Sequence, residues 1–131
     1  MIFVDSNVPM YLVGAHHPNK TRAVELVDGL IRGGERLVTD VEVYQEILHR
    51  YTAIRRIDAI EAAFRNLDAI ADEVLTFGMP EIRVARTIID AVEGVSARDA
   101  LHVAIMRSSH VGRILSFDRG FDAFPEIERL H

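Results

Sequence analysis

The stretch MIFVDSN, residues 1–7, sets three apolar residues, Ile2 to Val4, directly before a carboxylate, a hydroxyl and an amide. Apolar runs ordinarily stop at glycine or proline turn signals. This one stops at Asp5, Ser6 and Asn7. Three more short apolar runs, Arg36–Thr39, Val74–Phe77 and Ile114–Phe117, read as strands, with Ile127–Leu130 a weaker fifth. Between them lie segments with helical periodicity. Thr21–Arg32 ends at Gly33-Gly34, where glycine is the natural C-terminal residue. Val41–Tyr51 sets Val41, Tyr44, Ile47, Leu48 and Tyr51 on one helical face. Arg56–Ile70 turns Ile57, Ile60, Ala63, Phe64, Leu67 and Ile70 to the core. Pro80 opens Glu81–Val92, and Ala97–Ser108 completes the set. Strands alternating with helices predict one α/β domain over residues 1–131, with a central, mostly parallel sheet of about five strands flanked by helices. In open parallel sheets, chemistry sits outside the carboxyl ends of the strands, near the point where strand order reverses.

Composition narrows the class. A chain of 131 residues, 49% hydrophobic and 27% charged, buries an ordinary core without staples. No apolar run reaches the ~18 residues of a membrane span, and no basic-then-apolar leader opens the chain. The expectation is a cytoplasmic protein with no membrane partner. Zero cysteines exclude disulfides, thiol catalysis and thiolate-zinc sites. The net charge of −5 by itself argues against a nucleic-acid binder. Yet 14 of the 15 basic residues are arginine, whose forks suit phosphate, and only Lys20 is lysine. A genome rich in GC accounts for the same count.

Four acids stand where chemistry is expected. Asp5 follows the first strand and Asp118 follows ILSF; Asp5 also suits a helix cap, and Asp118 an Asp-Arg-Gly turn. In VSARDALHVAIM, residues 95–106, Ser96 suits the N-cap and Asp99 the capping-box position. A carboxylate in that first turn can cap the helix and face the sheet edge at once. In TDVEVYQEILHRY, Glu42 and Glu46 lie one turn apart on the face away from Val41, Tyr44, Leu48 and Tyr51. Periodicity assigns that face to solvent and does not choose between the two glutamates.

Together FVDSN, VTDVEVYQEI, SARDALHVAIM and LSFDRGFD, in this order and spacing, resemble the PIN-domain family, and within it the VapC-type toxin ribonucleases of type II toxin–antitoxin pairs. The resemblance spans essentially the whole chain. It implies catalytic carboxylates at Asp5, Glu46, Asp99 and Asp118, with Asp5, Asp99 and Asp118 as metal ligands and Asn7 as a supporting partner of Asp5. Glu46, in QEI, takes the helical position, and Glu42 loses its claim. Ser6 stands where the family more often has threonine, and keeps the hydroxyl. Asp40 stands where serine or threonine is common, beside Thr39, and can cap the following helix. Asp122 is a further acid of the site or part of the turn.

Four carboxylates in one cleft repel one another, and a divalent cation relieves that repulsion. Oxygen ligands select a hard ion, Mg²⁺ or Mn²⁺. Such a site can hold a phosphodiester oxygen and activate water, through one ion or through two about 3.5–4 Å apart. The expected function is metal-dependent endonucleolytic hydrolysis of RNA, transfer or ribosomal, that inhibits translation. Glu46 either ligates the ion or orients the attacking water. Arg98 and Arg119, beside Asp99 and Asp118, are candidate RNA contacts, with Arg55-Arg56 another. His102, one turn beyond Asp99, is read as a packed or locally hydrogen-bonded histidine outside the catalytic set.

Other classes fit less well. A phosphoacceptor receiver domain calls for an acidic pair near the first strand and a late lysine, and an Asp-x-Asp phosphatase fails because position 7 is Asn. A non-catalytic module that binds RNA or protein is the strongest rival, and would be expected to have lost one or more of the four acids. The resemblance also implies a cognate VapB-type antitoxin and a homodimer. The two amphipathic segments from residue 41 to 70 offer apolar surface for either, or for the core.

Overall fold

The computed structural model describes residues 1–131. Its centre is β1 (Ile2–Val4), every residue of which is fully buried. β1 is flanked by β2 (Leu37–Asp40) on one side and β4 (Arg113–Leu115) on the other, while β3 (Glu73–Leu75) and β5 (Glu128–Leu130) form the edges. The order is β3-β2-β1-β4-β5 and every neighbouring pair is parallel. Parallel neighbours need crossover connections, and helices supply them. α1 (Asn7–Val13) and α2 (Pro18–Arg32) link β1 to β2, and α3 (Val41–Ala53) and α4 (Ile60–Ile70) link β2 to β3. α5 (Met79–Ala91) and α6 (Ala97–Ser108) link β3 to β4 and pack on each other.

The chain runs outward from β1 through β2 to β3, then returns to lay β4 and β5 on the far side of β1. Strand order therefore reverses between β1 and β4, where a crevice opens at the carboxyl ends. Phe3 pairs with Ile114 and Val4 with Leu115, and the Asp5 N–H donates to Leu115 O at 3.1 Å. That register brings the residues after β1 and after β4 together. A core of Ile2, Phe3, Val4, Leu37, Val38, Ile114, Leu115 and the inner faces of the helices holds it in place. No helix is long and apolar enough to cross a membrane.

Several boundaries differ from the sequence reading. α1 was not legible as a full helix, because Val8, Pro9, Met10, Tyr11, Leu12 and Val13 are apolar all round and leave no period. α2 starts at Pro18, its first residue, with His17 as N-cap. β3 lies at Glu73–Leu75 rather than Val74–Phe77, since its partner β2 ends where Asp40 caps α3. β4 ends at Leu115 and leaves Ser116 and Phe117 for the site. Ile57 belongs to a 3-10 turn, Ile57–Ala59, and is 68% exposed rather than facing the core.

The inward face of α3 also needs correction. Val43, Glu46, Ile47 and Tyr51 are buried, whereas Val41 and Leu48 are exposed. Periodicity turned the helix by about one position because it gave Glu46 to solvent. The carboxylate in fact holds a core position, where a buried partner meets it.

Candidate active site

Asp5 is 4% exposed, and its carboxylate is held from both sides. The Ser6 N–H donates to Oδ1 at 2.8 Å; Ser116 Oγ and Asn7 Nδ2 donate to Oδ2 at 2.5 and 3.1 Å. Asn7 reaches further. Its Nδ2 lies 3.2 Å from Ser116 Oγ and its Oδ1 accepts the Phe117 N–H at 3.3 Å, so one amide ties the end of β4 to the end of β1. Burial pushes the Asp5 carboxyl up, against the charge of His102 and the Ser116 hydrogen bond, which pull it down.

Glu46 enters from α3, which starts where Asp40 Oδ1 accepts the Val43 N–H at 2.8 Å. Behind the glutamate lies His102, fully buried in α6, with Nδ1 2.7 Å from Asp40 Oδ2 and Nε2 3.3 Å from Glu46 Oε1. Both ring nitrogens face carboxylates, which accept hydrogens and do not donate them when ionised. The geometry therefore calls for the doubly protonated ring. Burial opposes that charge, but the hydrogen bonds that the ring donates to Asp40 and Glu46 overcome it and raise His102 well above its ordinary value. Burial would likewise raise Glu46, yet the His102 hydrogen bond and charge outweigh it and hold the carboxyl low. His102 is packed, as the sequence reading had it, but its partners lie 62 and 56 residues away.

Asp99 sits in the first turn of α6. Ser96 caps that helix by accepting the Asp99 N–H at 3.1 Å, leaving the Asp99 carboxylate for the cleft. Burial, then the charges of Asp5 and Asp118, push its carboxyl up to about 6. Asp118 follows β4; its N–H donates to Ser116 Oγ at 3.0 Å, and its Oδ1 accepts the Gly120 N–H at 2.8 Å. Gly120 lies between the two acids, since a Cβ there would stand 3.1 Å from Asp118 Oδ1 and 3.5 Å from Asp99 Oδ2. A bare Cα lets the turn approach both.

Asp5, Glu46, Asp99 and Asp118 all line one cleft of about 930 Å³, with Asn7 and Arg98. Arg119 is exposed and does not line it; Arg56 is paired with Asp58 and Asp122 with Arg129, both outside the cleft. Glu42 is also outside. The sequence reading missed Arg50, which lines the cleft one turn after Glu46 and was findable by that i, i+4 spacing. It also missed Tyr11, His16 and His17, which arrive through the unread helix α1 and the cap of α2. Ser116, two residues before Asp118, carried no local signal.

Asp5, Glu46 and His102 bring one donor atom each within 4.8 Å of one another. His102 spends both nitrogens on carboxylates, so it serves as a fixed counter-charge and offers an ion no lone pair. The remaining donors are carboxylate oxygens, and the Asp99 carboxyl is raised by burial first and then by the charges of Asp5 and Asp118. That donor set and that excess negative charge fit a hard divalent cation.

The PIN-domain family model matches residues 2–127. A VapC ribonuclease of Mycobacterium bovis and ribonuclease VapC13 of Mycobacterium tuberculosis are each 52% identical over 130 residues, covering 99% of both chains. Ribonuclease VapC23 of Mycobacterium tuberculosis is 36% identical over 118 residues, 90% of this chain and 93% of the relative. Among solved structures, VapC20 of Mycobacterium tuberculosis matches with a TM-score of 0.79 at 21% identity over 98% of each chain. VapBC2 from Rickettsia felis matches at 0.71 and 11% identity over 99% and 98%. These two likenesses concern the fold. Family match and sequence identity converge on the same cleft-bearing α/β domain: the chain belongs to the PIN-domain family, among the VapC ribonucleases.

Proposed function

We propose that the protein is the toxin of a toxin–antitoxin pair, a Mg²⁺- or Mn²⁺-dependent endoribonuclease that cuts transfer or ribosomal RNA in the cytoplasm and so inhibits translation. The observation that carries the reading is the convergence of Asp5, Glu46, Asp99 and Asp118, from four separate segments, on one cleft at the β1/β4 switch point. When bound by Asp5, Asp99 and Asp118, the cation supplies charge neutralisation for the phosphodiester and a lowered pKa for water.

The chain's own residues do the rest. Ser6, Asn7 and Ser116 fix both Asp5 oxygens, so that carboxylate needs no reorganisation when substrate arrives. His102 keeps Glu46 ionised and aimed, ready to orient a water and accept its proton. Arg98 and Arg50 stand in the cleft wall without a carboxylate partner and are our candidates for gripping flanking phosphates, with Arg119 outside it a weaker one. A VapB-type antitoxin and a homodimer are part of the proposal, with the exposed Val41, Leu48 and Ile57 as apolar surface for either.

The test is cleavage of total cellular RNA by purified protein with Mg²⁺, Mn²⁺ or chelator, with Asp5→Asn and Asp99→Asn as controls. Defined cuts that need the cation and vanish in both variants support the reading. Full activity in either variant, or no cut in any RNA, overturns it.

A further inference from the structure

The cleft has a wall that the acids do not use. Tyr11 of α1 and His17, the N-cap of α2, line it as a stacked pair, ring centroids 5.2 Å apart and planes 27° from parallel. Phe117 meets Tyr11 edge-on at 5.3 Å and 79°. It directly precedes Asp118, so the column of rings starts beside the acids.

The column is held in place. The Asn19 N–H donates to His17 Nδ1 at 3.0 Å, which fixes the ring and leaves its hydrogen on Nε2. Lys20 Nζ donates to Gly14 O at 2.9 Å, closing the turn between α1 and α2. Core packing does not account for the pair, because Tyr11 is only half-buried, His17 is exposed, and neither belongs to the hydrophobic core or packs against it.

An ordered aromatic pair that ends in an exposed imidazole matches the flat face of a nucleobase. A base inside a duplex has both faces covered, whereas one splayed from a loop or single strand can extend such a column. Arg50 and Arg98 lie in the same cleft for the flanking phosphates. Building on the ribonuclease reading, we propose that Tyr11 and His17 form a stacking platform for one unpaired nucleobase of the RNA, held beside the scissile phosphate.

The test uses Asp5→Asn as the parent, so that binding is read without cleavage. Fluorescence anisotropy with a labelled single-stranded RNA octamer is compared with a set carrying one abasic ribose at each position, and with the octamer in duplex. Tyr11→Ala is expected to weaken binding roughly 5- to 100-fold, and Tyr11→Phe, which keeps the ring, to restore it. His17→Asn keeps a good N-cap and removes the ring, so its loss reads the platform and not the cap. At one position the abasic change should weaken the parent and leave Tyr11→Ala unaffected. Equal affinity of parent, Tyr11→Ala and His17→Asn, or equal affinity of the parent for single strand and duplex, overturns the platform. Wild-type cleavage measured alongside separates the two readings: cuts without Tyr11 dependence sink only the platform, and Tyr11-dependent binding without cuts sinks only the nuclease.

Discussion

His102 Nδ1 lies 2.7 Å from Asp40 Oδ2, both side chains fully buried, although the residues are 62 positions apart. Asp40 caps α3 with its other oxygen, and His102 reaches Glu46 with its other nitrogen. One interaction thus fixes the helix that carries Glu46 and the charge state of Glu46 itself.

Removing the imidazole strands two buried carboxylates. His102→Ala should cost about 3–5 kcal/mol of stability, read by urea denaturation. A loss under ~1 kcal/mol would mean that the ion pair does not form. Asp40→Asn, which keeps a cap acceptor, should cost less and still fold.

His102 and Glu46 together set a pH window. His102 is raised, so its contribution is complete below its unfolded value near 6.5 and fades as pH rises through the higher folded value. Glu46 is lowered, so its contribution is present above its unfolded value near 4.5 and fades as pH falls through the lower folded value. Melting temperature should therefore decline toward alkaline pH, and His102→Gln should flatten that limb. An unchanged alkaline limb would rule His102 out as its source.

Asp99 makes the opposite kind of contribution. A carboxyl pushed up to about 6 by burial and by Asp5 and Asp118 destabilises the cation-free protein once ionised. Asp99→Asn should raise cation-free stability at pH 7.5 by about 1–2 kcal/mol, discounted for partial exposure, while abolishing cleavage. Added Mg²⁺ should raise the melting temperature of the wild type at pH 7.5 and do so much less below pH 6. Equal Mg²⁺ stabilisation of wild type and variant would remove Asp99 from the ligand set.

Ser116→Ala removes the hydroxyl that donates to Asp5 Oδ2 and pulls its pKa down. The Asp5 carboxyl should rise further, moving the acid limb of the activity profile to higher pH. Stability should fall by about 1–3 kcal/mol, as for a lost hydrogen bond to a buried charge. An unmoved acid limb would show that Asp5 does not govern it.

Gly120→Ala places a Cβ 3.1 Å from Asp118 Oδ1, which moves that carboxylate by a few tenths of an ångström. Cleavage should drop about 3- to 10-fold with little change in melting temperature. Activity equal to wild type would show that the position of Asp118 is not critical.

Short apolar runs and helical periods determined a single α/β domain with a parallel sheet, and the acids following β1 and β4 were legible as a pair at one sheet edge. Those features have local signatures: continuous apolarity for a strand buried on both faces, and position directly after it. Periodicity left Glu42 and Glu46 equal and the resemblance favoured Glu46; the tertiary structure sets Glu46 in the cleft and leaves Glu42 outside it. Periodicity reports the average polarity of a helix face and gave Glu46 to solvent, whereas a buried imidazole 56 residues away draws it inward. The same limit hid Ser116, whose hydrogen bond to Asp5 joins residues 111 positions apart. That contact exists only once β1 and β4 are neighbours, which no local pattern of residues reports.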